Sequence, residues 1–108
     1  MKRGEIYLLD LKEPLGNIQA GIRPVVVIQN DIGNQHSTTT IVSCLTTRRK
    51  KYLPTHTLLR VGGLKPSLML GEQIFTVNQV DLIQKIGTIT DNDTLERLDR
   101  CIRVSLGI

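Results

Sequence analysis

Gly21-Ile22-Arg23-Pro24-Val25-Val26-Val27-Ile28-Gln29-Asn30-Asp31-Ile32-Gly33-Asn34 is the stretch around which this chain is organised. Its centre is a four-residue run of Val and Ile, entered through Arg-Pro and left through a cluster of turn residues, which is how a buried strand is written. Proline cannot donate to a β-ladder, so Pro24 predicts the start of that strand and sets Arg23 at its mouth.

Upstream, residues 5–11 read as a first strand bounded by Gly4 and Pro14, and residues 12–21 as a loop carrying Pro14, Gly16, Asn17 and Gly21. A loop of that length in a small domain is often functional. Downstream, residues 31–37 are a polar, glycine-bearing connection. Residues 38–47, rich in Thr, Ile and Val, predict a long third strand. The basic block Arg48-Arg49-Lys50-Lys51 and Tyr52-Leu53-Pro54-Thr55 form the next connection, followed by a strand at 56–61. Gly62, Gly63 and Pro66 turn the chain into extended segments at 67–70 and 73–77. Asn78 caps a short helical turn through Val80, Leu82 and Ile83, and 85–89 is a last strand.

The ending is helical. Asp91 or Asp93 caps a segment in which Leu95, Leu98, Cys101, Ile102 and Leu106 recur at three- and four-residue intervals, with Glu96, Arg97, Asp99, Arg100 and Arg103 on the other face and Gly107 as the stop. The expected fold is mainly β with helices: a small barrel-like, strongly bent antiparallel sheet with one C-terminal α-helix packed on it.

Composition narrows the function. The 108 residues, 40% of them hydrophobic, suit one domain. The longest apolar runs fall far short of the ~20 residues that cross a bilayer, so a cytoplasmic protein with no membrane partner is expected. Cys44 and Cys101 lack CxxC spacing and read as packed thiols. A net charge of +4 allows a polyanionic partner, but only 3% of residues are aromatic, too few for a platform that stacks many bases. There is no GxxxxGK[ST], no HExxH and no Cys/His cluster, so neither nucleoside triphosphate hydrolysis nor zinc chemistry is expected and no metal or cofactor motif stands out, and there is no GxSxG nucleophile elbow. His36 and His56 both lie in or beside polar connections and read as surface residues.

Arginine, hydroxyls and loops remain. Such a set can cleave RNA, because the 2′-hydroxyl of the substrate is the nucleophile and the protein need only position it, move protons and stabilise a pentacovalent phosphate. The planar fork of Arg23 suits that last task, since it stays charged and makes paired hydrogen bonds to phosphoryl oxygens. A salt bridge to Asp10, Glu5 or Glu72 is the other reading of the same residue.

Five ordered blocks carry a resemblance: Arg3-Gly4-Glu5-Ile6-Tyr7, Gly21 to Asp31, Ile41-Val42-Ser43-Cys44-Leu45-Thr46, Leu53-Pro54-Thr55-His56 and Leu70-Gly71-Glu72-Gln73-Ile74. Together they resemble the MazF/PemK toxins, the endoribonuclease halves of toxin–antitoxin pairs, and most of all those of Gram-positive bacteria. The resemblance implies an SH3-like barrel, a homodimer, and metal-independent cleavage of single-stranded RNA at a short sequence, leaving 2′,3′-cyclic phosphate and 5′-hydroxyl ends. It also implies a cognate antitoxin whose acidic-hydrophobic tail occupies the RNA groove. Carried over by position, the catalytic arginine falls on Arg23 and the catalytic threonine on Thr46. Gln19, Asn30, Asn34, Leu53, His56 and Gln73 fall in family-like blocks that line or border the groove, and Arg48 opens a basic block, richer than in many relatives, that can supply phosphate contacts.

Two positions depart from the family pattern. Ile18 stands where many relatives carry an acidic residue, and Phe75 where they commonly carry a basic one; an aromatic there either stacks on a base or packs. Two other functions fit the same fold. One is a nucleic-acid-binding barrel without cleavage, and the other a non-catalytic toxin that binds a protein such as a topoisomerase.

Overall fold

The computed structural model describes residues 1–16, 18–48 and 52–108. Strands β1 (Glu5–Leu11) and β2 (Gly21–Val27) are followed by helix α1 (Asp31–His36), β3 (Thr39–Thr46), β4 (His56–Leu59), β5 (Ser67–Asn78), a 3₁₀ turn (Gln79–Asp81), β6 (Leu82–Thr88) and helix α2 (Asn92–Leu106). They form one six-stranded sheet in the order β4-β5-β3-β2-β1-β6, antiparallel throughout.

Because successive strand residues point to opposite faces, the Val run of β2 is divided between two cores. Val26 joins Ile6, Leu45, Met69 and Leu98 of α2 in the first. Leu59 of β4 and Ile89 beyond β6 reach into the same cluster, so the two ends of the sheet curl around it. Val25 and Val27 join Leu9, Val42 and Cys44 in the second, on the face away from α2. A strand buried on both faces needs a continuous apolar run, and residues 25–28 supply it. The second core is covered in part by the β1–β2 connection, whose Ile18 packs on it. That connection is pinched shut by reciprocal Leu15–Ile18 backbone hydrogen bonds of 2.9 Å, with Gly16 at φ 57° in the turn.

Helix α2 forms as its sequence directs. Asp91 is the N-cap and accepts from Thr94 N at 2.9 Å and from Thr94 Oγ1 at 2.6 Å. Gly107 takes the left-handed conformation at φ 73° and donates to the Arg103 carbonyl.

Several boundaries differ from expectation. Residues 31–36 are a helix and not an irregular connection, because Asn30 caps it by accepting from Gly33 N. Pro24 lies three residues inside β2 instead of starting it. It is tolerated because β3 pairs with β2 only at residues 25–27, leaving its missing donor on an unpaired side. The fourth strand stops at Leu59, and the extended segments at 67–70 and 73–77 are one strand interrupted by a bulge. The helical turn after Asn78 is a single 3₁₀ turn, and Leu82 and Ile83 already belong to β6.

Candidate functional site

The β2–β3 register pairs Val27 with Val42, Val26 with Ser43 and Val25 with Cys44, and then the ladder stops. Continued two places, the same register sets Arg23 opposite Thr46. Both fall on the face of the second core, since Arg23 shares the side of Val25 and Thr46 the side of Cys44. The splayed end of the two strands opens a pocket of about 160 Å³ lined by both residues together with Gln19, Arg48 and Gln73, over Ile18, Leu45 and Leu70. Cys44, the end of the second core, is also part of its wall.

Gln73 reaches the pocket through a β-bulge. Ser43 pairs with Ile74 but the next residue, Cys44, pairs with Leu70, so residues 71–73 are extra on β5. Ser43 Oγ ties the bulge down by donating to the Leu70 carbonyl at 2.8 Å. Gly71 N donates to the Thr55 carbonyl at 2.9 Å, and a Cβ on Gly71 would lie only 2.5 Å from that oxygen. Only glycine fits.

On the outer side of the bulge, Glu72 takes bonds from the last residue of the β3–β4 connection and the first residue of β4. Thr55 Oγ1 donates to Oε1 at 2.9 Å, and His56 Nε2 contacts Oε2 at 3.0 Å. Leu53 N donates to His56 Nδ1 at 3.4 Å, which assigns the ring proton shared with Glu72 to Nε2. Burial alone would raise the Glu72 pKa, but the His56 and Thr55 hydrogen bonds outweigh it and hold the carboxyl below its ordinary range.

Arg23 is half-exposed, and among the described residues its guanidinium donates only to Gln19: Nε to the carbonyl at 3.2 Å and Nη2 to Oε1 at 3.3 Å. Each carboxylate that might have neutralised it is engaged elsewhere: Asp10 with Lys12, Glu5 with Lys85 and Glu72 with His56. Among the described residues, then, Arg23 has no acidic partner, and the salt-bridge reading of this residue is not realised. Arg48 adds a second exposed cation to the pocket. Thr46 Oγ1 accepts from Arg48 N at 3.1 Å, which leaves the hydroxyl proton to be donated to an acceptor in the pocket. Thr47 is exposed and does not line it.

Of the expected groove residues, the fold therefore brings Gln19, Arg48 and Gln73 to Arg23 and Thr46. Leu53 is exposed beside the Glu72 contacts without lining this pocket. His56 is not a surface residue: at 3% exposure, its ring holds the 53–56 turn against β5. Asn30 spends its side chain as the α1 cap. Asn34 is buried, accepting from Gln29 and from Thr40 at 2.6 Å and donating to the Gln29 carbonyl, so it faces the interior. Arg49, Lys50 and Lys51 lie outside the described residues. Gly71 and the bulge it permits join the site as well, and the signal for them in the sequence is a glycine inside a strand pattern, the usual sign of a bulge.

Comparison with known proteins gives this arrangement its context. Residues 2–106 match the family described as PemK-like, MazF-like toxins of type II toxin–antitoxin systems. The chain belongs to that family.

Among curated relatives, it is 41% identical over 112 residues to the endoribonuclease EndoA of Bacillus subtilis, covering 100% of this chain and 96% of the relative. It is 40% identical to the endoribonuclease MazF of Staphylococcus saprophyticus, covering 100% and 92%. Among solved structures, a mycobacterial endoribonuclease in complex with its cognate antitoxin superposes with a TM-score of 0.84 at 23% identity, covering 100% of this chain and 96% of that one. The mainly β architecture of this PemK-like, MazF-like chain is thus the architecture of solved toxins, and its 41% and 40% relatives are of the Gram-positive type.

Proposed function

We propose that this toxin is a sequence-specific, metal-independent endoribonuclease acting on single-stranded RNA. The observation that carries the reading is the pocket at the open end of β2 and β3, lined by a guanidinium that has no acidic partner among the described residues and by a threonine hydroxyl. Arg23 holds the non-bridging oxygens of the scissile phosphate and stabilises the charge of the pentacovalent phosphorane. Thr46 donates its hydroxyl proton to the same phosphate and orients it; a threonine hydroxyl is far too weak an acid to do more. The 2′-oxygen bonds to phosphorus, the bond from phosphorus to the 5′-oxygen breaks, and the 2′ proton is given up as the 5′-oxygen gains one. The products are a 2′,3′-cyclic phosphate and a 5′-hydroxyl. Arg48 supplies a phosphate contact, while Gln19 and Gln73 present amide groups to base edges, which unstacked single strands expose.

The reading includes an antitoxin partner whose acidic-hydrophobic tail competes for the same cationic pocket, a homodimer, and action in the cytoplasm. Among the described residues no helix is long and apolar enough to cross a membrane. Light scattering at micromolar concentration tests the dimer, a monomer counting against it.

The deciding experiment incubates the protein with long single-stranded RNA in excess chelator. Cleavage with cyclic-phosphate ends is expected. Arg23→Ala should lower the rate about 100- to 1,000-fold while the folded state stays within about 0.5 kcal/mol of wild type, as expected for a half-exposed side chain bonded only to Gln19. Undiminished cleavage by that variant would remove the central claim. RNA that is retarded on a gel but never cut would point instead to a binding barrel.

A further inference from the structure

The pocket that holds Arg23 and Thr46 does not end at Gln73. Ile18 and Gln73 also line a second depression, shared with Leu15 and Phe75. Leu15 and Phe75 in turn line a third, which runs on to Asp10, Glu13 and Asp81. Sharing walls in this way, the three make one groove along the β1–β2 connection with Phe75 at its middle. Strand alternation puts Phe75 on the face of Gln73, about 7 Å further along β5. Its ring is half-buried: it packs on the second core and still lines both outer depressions.

Charge reverses along the groove. Arg23 and Arg48 stand at one end. Asp10, Glu13 and Asp81 stand at the other, with Lys12 tied to Asp10. A phosphate is attracted at the first end and repelled at the second. Glu72, held by Thr55 and His56, adds a carboxylate to the wall of the middle depression, so this part of the groove also disfavours a phosphate, whereas an uncharged nucleobase there gains an apolar floor with an aromatic face.

We infer that Phe75 is a specificity-determining residue. With Leu15 and Ile18 it floors a subsite for one nucleobase of the substrate RNA, next to the nucleotide whose phosphate sits at Arg23. The inference rests on the ribonuclease reading above. Stacking on an aromatic ring is worth about tenfold or more in affinity per base. The acidic end then limits the footprint of the strand, because a phosphate carried beyond Phe75 meets Glu13 and Asp81 beside the Asp10–Lys12 pair, a net negative wall.

The test uses the full chain, a pool of single-stranded RNA with randomised positions, and sequencing of the cleaved ends. Wild type should show a base preference next to the cut. Phe75→Leu, which keeps apolar packing and removes the ring, should flatten the preference at one position only. On RNA carrying the preferred base it should raise KM about tenfold with kcat little changed. Phe75→Tyr should retain the preference. Should Phe75→Leu fail to fold, Ile18→Ser, at a half-exposed residue of the same apolar floor, must flatten that same position. A folded Phe75→Leu protein with the wild-type preference at every position, or one slowed equally on all sequences, overturns the subsite while leaving the ribonuclease standing. A wild-type protein that cuts no RNA in the pool overturns both.

Discussion

Replacing Gly71 with alanine tests the bulge that aims Gln73 into the pocket. The added methyl would sit 2.5 Å from the Thr55 carbonyl oxygen, a separation that real Cβ atoms do not adopt. Relieving it to an ordinary contact of 3.4 Å means moving β5 by about 0.9 Å. The strand has nowhere to go, because Cβ and the carbonyl oxygen of Cys101 on α2 lie 3.2 and 3.3 Å from the same methyl position. Overpacking of this kind costs about 1–3 kcal/mol. Breaking the Gly71–Thr55 hydrogen bond adds about 0.5–1.5 kcal/mol, and the smaller backbone entropy of alanine in the unfolded chain returns about 0.4–1 kcal/mol. The net loss is about 2 kcal/mol, or a fall in Tm of about 8–10 °C for a domain of this size. Gly62→Ala is the control, since nothing lies within 4 Å of its Cβ position and its effect should stay within about 0.5 kcal/mol. Thermal and urea unfolding of the two variants measure the difference. A Gly71→Ala protein within about 2 °C of wild type would refute the reasoning.

Three further outcomes follow from single contacts. Asn34→Ala should cost about 1–3 kcal/mol, because Gln29 and Thr40 lose a buried partner; if unfolding is unchanged and RNA cleavage is lost, Asn34 contacts substrate after all. Asp91→Ala removes the α2 cap and should lower stability by about 0.5–2 kcal/mol without altering cleavage at a temperature where the protein stays folded, as unfolding curves and a cleavage assay will show. Burial would raise the Glu5 pKa, but hydrogen bonds from Lys85, Lys2 N and Tyr7 outweigh it and hold the carboxyl below the ordinary carboxylate range. A depressed carboxylate stabilises the fold above its unfolded pKa and loses that contribution as pH falls through the folded value. Glu5→Gln should therefore be less stable than wild type at neutral pH, with the gap closing as the pH falls through the carboxylate range, as urea midpoints measured from neutral to acid pH will reveal.

The elements legible in the sequence were those dictated by local chemistry. The first strand, residues 5–11, and the capped and stopped α2 need only alternation, a cap and a glycine, and they form where those signals stand. Helix α1 was not legible, because six residues with a central glycine show no periodicity and the helix depends on the Asn30 cap and on burial of Asn34 under β3. The amide groups of Asn30, Asn34 and Gln19 are chemically alike. Only the fold decides that the first caps, the second is buried and the third lies in the pocket. The same holds for His56, whose polar neighbours in sequence suggested solvent while β5 supplies Glu72 to receive it.

The position of the site follows from three interruptions of one sheet. Pro24 lacks the N–H that would extend the β2–β3 ladder past Val25, so the strands part just before the register would join Arg23 to Thr46. At the same level, β5 spends three residues on a bulge, which leaves a gap beside Cys44 and turns Gln73 toward it. The β1–β2 connection, folded back by the Leu15–Ile18 pairing, then lays Gln19 across the opening, where it holds Arg23 without neutralising it. An unbroken ladder would have brought the backbones of residues 23 and 46 into contact and left no room for a phosphate between their side chains. A carboxylate in place of Gln19 would have fixed Arg23 just as firmly but cancelled its charge. The pocket is cationic and open because ladder pairing fails there on two strands at once, and the group that orients the arginine is an amide.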